Sequence, residues 1–388
     1  MPNVLVVRGH QATPWELRPW TLLPERYGVS LLRTGANAYD TAGAGLDEIA
    51  VRTRRDRLPS GRVGDLLTRV AGDRFTGDTA AAAFAAADIV HAEELSYWFS
   101  ADAARRKAEG GRFALVQTIW ETLPLGRTYR NAQAKGWRDL VLAETDLFLA
   151  ATERARDGLL LEGVPAEKIA INQAGVDLER FATSPVSAGE HVILSPGRLV
   201  WEKGHQDVLR AVAALHRGLV GEPVRPRVLI IGHGPEEARL RMYAEELGLG
   251  GFVEIRGVPY DEMPAAFARA SAMVLASLPS ATSQLHLFDL PRAFWEEQFG
   301  YVLAEAMAAG LDIVASDSGA IPEVLGGQGT LVAAGDWMGI ARRLAAGPVS
   351  RPPGARVSYP AELLERYSVG AMARRLGDAY DALTSART

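Results

Sequence analysis

Short, unbroken apolar runs recur along the whole chain, each followed by a longer stretch with helical spacing. No other feature constrains the fold as much. The first half offers NVLVV (3–7), ADIVH (87–91), FALVQTI (113–119) and DLFLAAT (146–152). The second half offers HVILSPG (191–197), RVLIIGHG (227–234), FVEIRG (252–257), AMVLAS (272–277), DIVAS (312–316) and TLVAA (330–334). A strand whose two faces are both covered by helices reads in this way, without polar–apolar alternation. Between the runs, HQDVLRAVAALHRGL and MPAAFARASA carry helical spacing. Strand and helix in repeated alternation predict an α/β fold with parallel sheets.

At 388 residues the chain has material for two domains. The small, polar, proline-containing stretch ATSPVSAGE at 182–190 separates two βα series. It sets the expected division at 1–183 and 190–360, with a helical tail over 361–388 that either caps the second domain or crosses back onto the first. The formal net charge of −5 disfavours a nucleic-acid partner. The absence of cysteine excludes disulfides and thiolate metal sites. MPNVLVVRGH reads as a first strand rather than a signal peptide, because its apolar run is short and Arg8 interrupts it. No run of about 20 apolar residues offers a membrane span.

Open parallel sheets bind ligands at the carboxyl ends of their strands, so the loops there are where chemistry is expected. In VILSPGRLVWEKG (192–204), Gly197 lets the backbone leave its strand, and Arg198 and Lys203 follow in one short loop. The stretch falls short of a phosphate-binding P-loop: Glu202 stands in place of the second glycine and Gly204 in place of the hydroxyl. The arginine fork and the lysine point charge are therefore the groups that would hold a phosphate. The alternative is a pair of surface cations bonded to Glu202 and its neighbours. In IIGHGPEEARL (230–240), Gly232 and Gly234 permit close backbone approach before a helix start, though a plain strand-to-helix turn also accounts for them. In FWEEQFGYVLAEAMAAG (294–310), a helix beginning near Gly300 would present the free amides of Gly300, Tyr301 and Val302 to an anion. Glu305, just over one turn in, would then accept from a ribose diol, and Glu297 would reach the far side of the phosphates. Either glutamate taken alone reads first as a solvated helix-flank charge.

Taken together, these segments resemble family 4 of the retaining GT-B glycosyltransferases. The resemblance is nearly continuous over 165–345 and includes VPAEKIAINQAGVDLERF, GRLVWEKG, GHGP, FVEIRGVPYDEMPAAFARASAMVLAS, EEQFGYVLAEAMAAG and VASDSGAIPEVLG. It is weaker in the first half, where DIVHAEE (88–94) carries it. It implies two Rossmann-like domains facing across a cleft, the first for the acceptor and the second for a nucleotide-sugar donor. Arg198 and Lys203 match the basic pair on the donor pyrophosphate, and Glu305 matches the glutamate on the ribose. Glu297 matches the one near the transferred sugar, and Phe299, Gly300, Tyr301 and Val302 match the loop whose amides meet sugar and phosphate. The implied activity transfers a hexose from a nucleotide-diphosphate sugar to a hydroxyl acceptor, with retention by front-face substitution. No metal or further cofactor is implied, and the chain contains no D-x-D motif.

The first domain departs from the family pattern. RGHQATPWELRPW has Gly9 where many members carry a glycine-rich loop, and LVQTIWETLP places Trp120 and Glu121 where many carry a histidine. His10, His91, Glu93 and Glu121 are the acceptor-side candidates near strand ends, with Trp120 as a stacking platform or a core aromatic. The long segment 278–295 is expected to shape a pocket. The stretch LGRTYRNAQAKGWRDL (125–140), with Arg127, Arg130, Lys135 and Arg138, suits an anionic lipid, a phosphorylated acceptor or a solvated helix face. The expected location is the cytoplasm, at the inner membrane face if the acceptor is lipid-linked. Two other classes share the architecture. An epimerase or phosphorylase-like enzyme needs its own catalytic acids or a pyridoxal-bearing lysine, and a nucleotide-sugar binding protein shows no turnover.

Overall fold

The structure, a computed structural model, describes residues 1–59, 61, 63–64, 67–68, 72–125, 132–186, 189–279 and 295–385. It divides into two compact units, Met1–Gly175 with Ser368–Thr388, and Val176–Tyr367.

The first unit is built on a parallel sheet of seven strands in the order β3-β2-β1-β4-β5-β6-β7. These are β1 (Asn3–Val7), β2 (Gly28–Thr34), β3 (Asp47–Val51), β4 (Ile89–Glu93), β5 (Ala114–Ile119), β6 (Leu147–Ala150) and β7 (Ile169–Ile171). The strands expected from apolar runs are present. β2, β3 and β7 were not legible as such. β3 is an edge-side strand opening on Asp47 and Glu48, β7 is a three-residue edge, and Arg33 interrupts β2. Apolar side chains fill both faces of the central strands. Leu5, Val7, Val90, Leu115 and Phe148 point to one side, and Val4, Val6, Ile89, Val116 and Leu149 to the other. The order reverses between β1 and β4, which gives this sheet its switch point.

The second unit has a parallel sheet of six strands in the order β10-β9-β8-β11-β12-β13. They are β8 (Val192–Pro196), β9 (Arg227–Ile231), β10 (Val253–Arg256), β11 (Ala272–Leu275), β12 (Asp312–Asp317) and β13 (Thr330–Ala333). Its core places the helices His205–His216 and Trp337–Ala346 against Ile193, Val228, Val274 and Val314. Because every pairing is parallel, the loops after β8, β9, β10, β11 and β12 all leave at one edge.

The chain passes between units at Gly175–Val176 and again at Tyr367–Ser368, not within 182–190. At the crossing the Val176 amide donates to the Tyr367 carbonyl at 2.8 Å. A Cβ on Gly175 would lie 2.9 Å from the Val369 Cα, so the approach of the two segments needs a glycine. The polar stretch after Phe181 instead runs along the second unit, where the Val186 amide bonds the Ala268 carbonyl at 2.9 Å. The tail is divided: the helix Ala361–Arg366 stays with the second unit, while Val369–Ser385 returns to the first. That returning helix buries Tyr380, whose hydroxyl accepts from Trp20 Nε1 at 3.0 Å and meets His91 Nδ1 at 2.5 Å.

Candidate active site

At the carboxyl edge of the second sheet, Lys203, Glu297 and Ser277 join the loops after β8 and β11 to the segment that precedes the helix Tyr301–Ala308. Lys203 Nζ lies 2.9 Å from Glu297 Oε1 and 2.7 Å from Oε2, and the Ser277 hydroxyl donates to Oε2 at 2.7 Å. Both charged side chains are largely buried, at 13% exposure for Lys203 and 7% for Glu297, so neither ion would tolerate loss of the other. The Glu297 carbonyl accepts from the Ala320 amide at 2.8 Å, which adds the loop after β12. The Lys203 ammonium also sits 5.0 Å from the centre of the Trp295 ring.

A buried histidine holds the loop after β8. A carbonyl can only accept, so His205 carries its proton on Nε2 and donates to the Arg198 carbonyl at 3.1 Å, while Nδ1 accepts from Ser195 at 2.8 Å. Burial pushes this ring down to about 4, so it is neutral at physiological pH. Gly204 closes the loop in the left-handed region at φ +69°, where a Cβ would stand 1.9 Å from the Ala276 carbonyl oxygen. The two strand-end loops can only lie this close because residue 204 has no side chain.

The helix Tyr301–Ala308 begins as its spacing predicts, with Gly300 left-handed at φ +77° as the cap. The amides of Gly300 and Val302 make no hydrogen bond among the described residues. Phe299 is buried, with its ring edge-on to Tyr301 at 5.3 Å and Tyr367 at 5.4 Å, so it anchors the loop and offers only backbone to a ligand. Glu305 is buried and accepts from the Tyr260 hydroxyl at 3.0 Å. Burial raises its carboxyl to about 7, against the opposing effects of the Tyr260 bond and the charge of Arg180. Tyr260 is itself pushed upward by burial and then by Glu305, and Arg180 stands 5.0 Å from its ring centre while bonding Asp261.

The structure thus brings Lys203 and Glu297 into direct contact and sets Glu305 against Tyr260. Arg198 is exposed and makes no ion pair among the described residues, so the surface pairing with Glu202 is not what occurs. Gly232 and Gly234, whose close backbone approach was expected to serve the donor, pack against the loop after β8. A Cβ on Gly232 would lie 1.9 Å from the Gly197 carbonyl oxygen, and one on Gly234 2.3 Å from that of Leu199. Residues 280–294 of the long segment, with Arg127 and Arg130 of the basic stretch, lie outside the described residues. The rest of that stretch is neutralised: Lys135 pairs with Asp139 at 2.5 Å, and Arg138 pairs with Asp139 at 2.8 Å and with Glu162.

In the first unit His91 is fully buried, with Nε2 2.8 Å from the Thr118 hydroxyl and Nδ1 on Tyr380. It belongs to the core, which corrects its place among the acceptor-side candidates. Gly9 is buried with its Cβ position 3.0 Å from the Phe99 ring, and His10 is exposed, its carbonyl accepting from the Ala38 amide at 2.8 Å. The amides of Trp120 and Glu121 each donate to Glu94 Oε1 at 3.0 Å. The Glu121 carboxylate caps its own loop through the amides of Thr122 at 3.1 Å and Leu123 at 3.2 Å. Sequence reasoning missed Ser277, Tyr260 and His205. Ser277 closes an apolar run, Tyr260 sits among loop residues, and His205 directly follows the glycine that makes its loop possible.

A paired lysine and glutamate, a glycine-capped helix start and a buried glutamate lie at the carboxyl edge of a parallel sheet, the edge at which Rossmann-like units take ligands. Residues 178–346, most of the second unit, match the family model described as Glycosyl transferases group 1. The chain is 33% identical over 213 residues to Escherichia coli (strain K12) WcaL, whose name describes a colanic acid biosynthesis glycosyltransferase, covering 54% of this chain and 47% of that one. It is 30% identical over 250 residues to the GDP-mannose-dependent alpha-(1-6)-phosphatidylinositol monomannoside mannosyltransferase of Mycolicibacterium smegmatis, covering 58% of this chain and 60% of that one. The chain therefore spans about half the length of the curated relatives it matches. Among solved structures it is similar to Anabaena Alr3699/HepE in complex with UDP, at TM-score 0.74 and 17% identity, covering 98% of this chain and 100% of that one. This likeness gives the chain the GT-B fold, two Rossmann-like α/β domains. Among the described residues no helix is long and apolar enough to cross a membrane.

Proposed function

We propose that the chain is a glycosyltransferase that moves a hexose from a nucleoside-diphosphate sugar to a hydroxyl acceptor, with retention at the anomeric carbon and without a bound metal. The observation that carries this reading is the buried Lys203–Glu297 pair beside the open amide end at Gly300. An ammonium has three protons, and Lys203 directs two at Glu297, which leaves one for a phosphate oxygen. That proton, the exposed Arg198 fork and the amides of Gly300 and Val302 supply positive charge where the diphosphate departs. Glu305 takes the ribose diol, replacing or sharing its bond from Tyr260. The cofactor-free reading follows from this division of labour: side chains and amides neutralise the leaving group. In front-face substitution the acceptor oxygen bonds the anomeric carbon as the carbon–phosphate oxygen bond breaks, and the acceptor proton passes to the leaving phosphate.

The UDP in the HepE structure and the GDP-mannose of the mycobacterial relative support a nucleoside-diphosphate donor here. The acceptor falls to the first unit in this reading. Lys203→Ala is expected to lower turnover by roughly 100-fold or more in protein whose second unit is still folded by its own melting transition, since a charge-stabilising group of this kind is worth about 2.7–4 kcal/mol; that transition should shift down, because Glu297 is left buried and unpaired. Near-normal turnover overturns the assignment. Incubation with donor alone separates the classes, because an epimerised sugar without acceptor identifies an epimerase.

A further inference from the structure

Among the described residues the Glu297 carboxylate takes its hydrogen bonds from two side chains, the charged Lys203 and the neutral Ser277. Ser277 follows β11 by two residues and is fully buried. Its backbone is tied to the neighbouring strand, because the hydroxyl of Ser316 in β12 donates to the Ser277 carbonyl at 2.6 Å. β11 and β12 are paired as far as Leu275 and Ala315, so this bond carries the pairing past the end of the ladder. The Ser277 hydroxyl has a single proton, and Glu297 Oε2 receives it at 2.7 Å. The two carboxylate oxygens are therefore unequal. Oε2 accepts from Lys203 and from Ser277, which occupies both of its lone pairs. Oε1 accepts from Lys203 at 2.9 Å and keeps a second lone pair. Because Ser277 is fully buried, Oε2 is the inner oxygen, and the 7% of the Glu297 side chain that remains exposed lies on the Oε1 side. Lys203 alone would not create this difference. An ammonium is a point charge with rotatable protons, it reaches both oxygens, and the terminal torsion of a glutamate is broad and two-fold.

We infer that Ser277 is a positioning residue that holds the Glu297 carboxylate with the open lone pair of Oε1 turned toward a hydroxyl group of the transferred hexose. The inference rests on the glycosyltransferase reading above and deepens it. The two ends of one buried ion pair then read the two parts of the donor: Lys203 meets a phosphate oxygen and Glu297 Oε1 meets the sugar. A hexose hydroxyl donates to Oε1 and completes its bonding. Without the Ser277 hydroxyl the carboxylate is free to turn under the ammonium, and the open lone pair no longer has a fixed direction. The charge of the pair is unchanged by that loss, so the diphosphate end of the site keeps its hold while the sugar end loses precision. Ser316 supports the arrangement from β12 by fixing the Ser277 backbone.

The test is isothermal titration of the full chain with UDP, GDP, UDP-glucose, UDP-galactose, UDP-N-acetylglucosamine and GDP-mannose, in wild type, Ser277→Ala and Ser277→Thr. The quantity read is the dissociation constant of a sugar nucleotide divided by that of its own nucleoside diphosphate. Ser277→Ala keeps the Lys203 bonds, so affinity for the diphosphate should stay within about twofold of wild type while the ratio rises roughly 10-fold. Ser277→Thr keeps the hydroxyl and should return the ratio to within about threefold of wild type. Should a Ser277 variant fail to fold, Ser316→Ala replaces it, and by untying the Ser277 carbonyl it should raise the same ratio about threefold. A residue that only supports the fold weakens both ligands alike. That result, an unchanged ratio, or a rise that a folded Ser277→Thr does not reverse overturns the inference, as does a wild type that binds a diphosphate but none of the sugar nucleotides. A wild type that binds no nucleoside diphosphate removes the donor reading and this inference with it, whereas an unchanged ratio removes this inference alone.

Discussion

Glu305→Gln is predicted to stabilise the ligand-free protein in a pH-dependent way. The Glu305 carboxyl is 2% exposed and titrates near 7, whereas a free glutamate titrates near 4.5. Between those values the folded protein keeps a proton that the unfolded chain releases, so folding stability falls as pH rises. At 1.36 kcal/mol per pKa unit the loss reaches ~3 kcal/mol above pH 7. Glutamine keeps the shape and an acceptor for Tyr260 but carries no charge, so it escapes the loss. The assay is calorimetric melting of wild type and variant at pH 5 and pH 8. The gap should be small at pH 5, under ~1 kcal/mol in stability, and the variant should melt roughly 5–10 °C higher at pH 8. In the same samples the variant should bind nucleoside diphosphate more weakly, because a ribose diol donates to a carboxylate better than to an amide. An equal gap at both pH values, or a variant that melts lower at pH 8, would refute the reasoning.

Two further expectations concern the loop after β8. Gly204→Ala places a Cβ 1.9 Å from the Ala276 carbonyl oxygen at φ +69°; it should cost at least ~2 kcal/mol and weaken diphosphate binding, as denaturant melts and titration will read. His205 titrates near 4 when folded and near 6.5 when free, so the unfolded chain gains the proton first on acidification. Stability should fall by ~3 kcal/mol between pH 6.5 and pH 4, and His205→Gln should flatten that part of the profile in denaturant melts.

Much of the fold was legible because buried parallel strands write themselves as apolar runs. The run NVLVV became β1 over the same residues, and DIVAS became the start of β12. β3 and β7 escaped because edge strands have less to bury and carry charge or shrink to three residues. The domain crossing escaped because composition marks flexible chain, whereas the real crossing at Gly175 is marked by a close approach to Val369, which no local pattern encodes. In the site, spacing placed Gly300 at a helix start and Lys203 in a strand-end loop. It did not reveal that Lys203 bonds Glu297, 94 residues on, since partnership across loops is a product of the sheet. The same limit hid Ser277, which closes an ordinary apolar run until β11 and β12 are paired.

The central claim is that Lys203 and the amide end at Gly300 hold a diphosphate. Isothermal titration of UDP and GDP against UMP and GMP tests it most directly, in wild type and in Lys203→Ala. The account predicts at least one diphosphate bound roughly 10-fold more tightly than its monophosphate, with that preference lost in the variant. Equal affinity for mono- and diphosphates in the wild type, or an undiminished preference in Lys203→Ala, would contradict it.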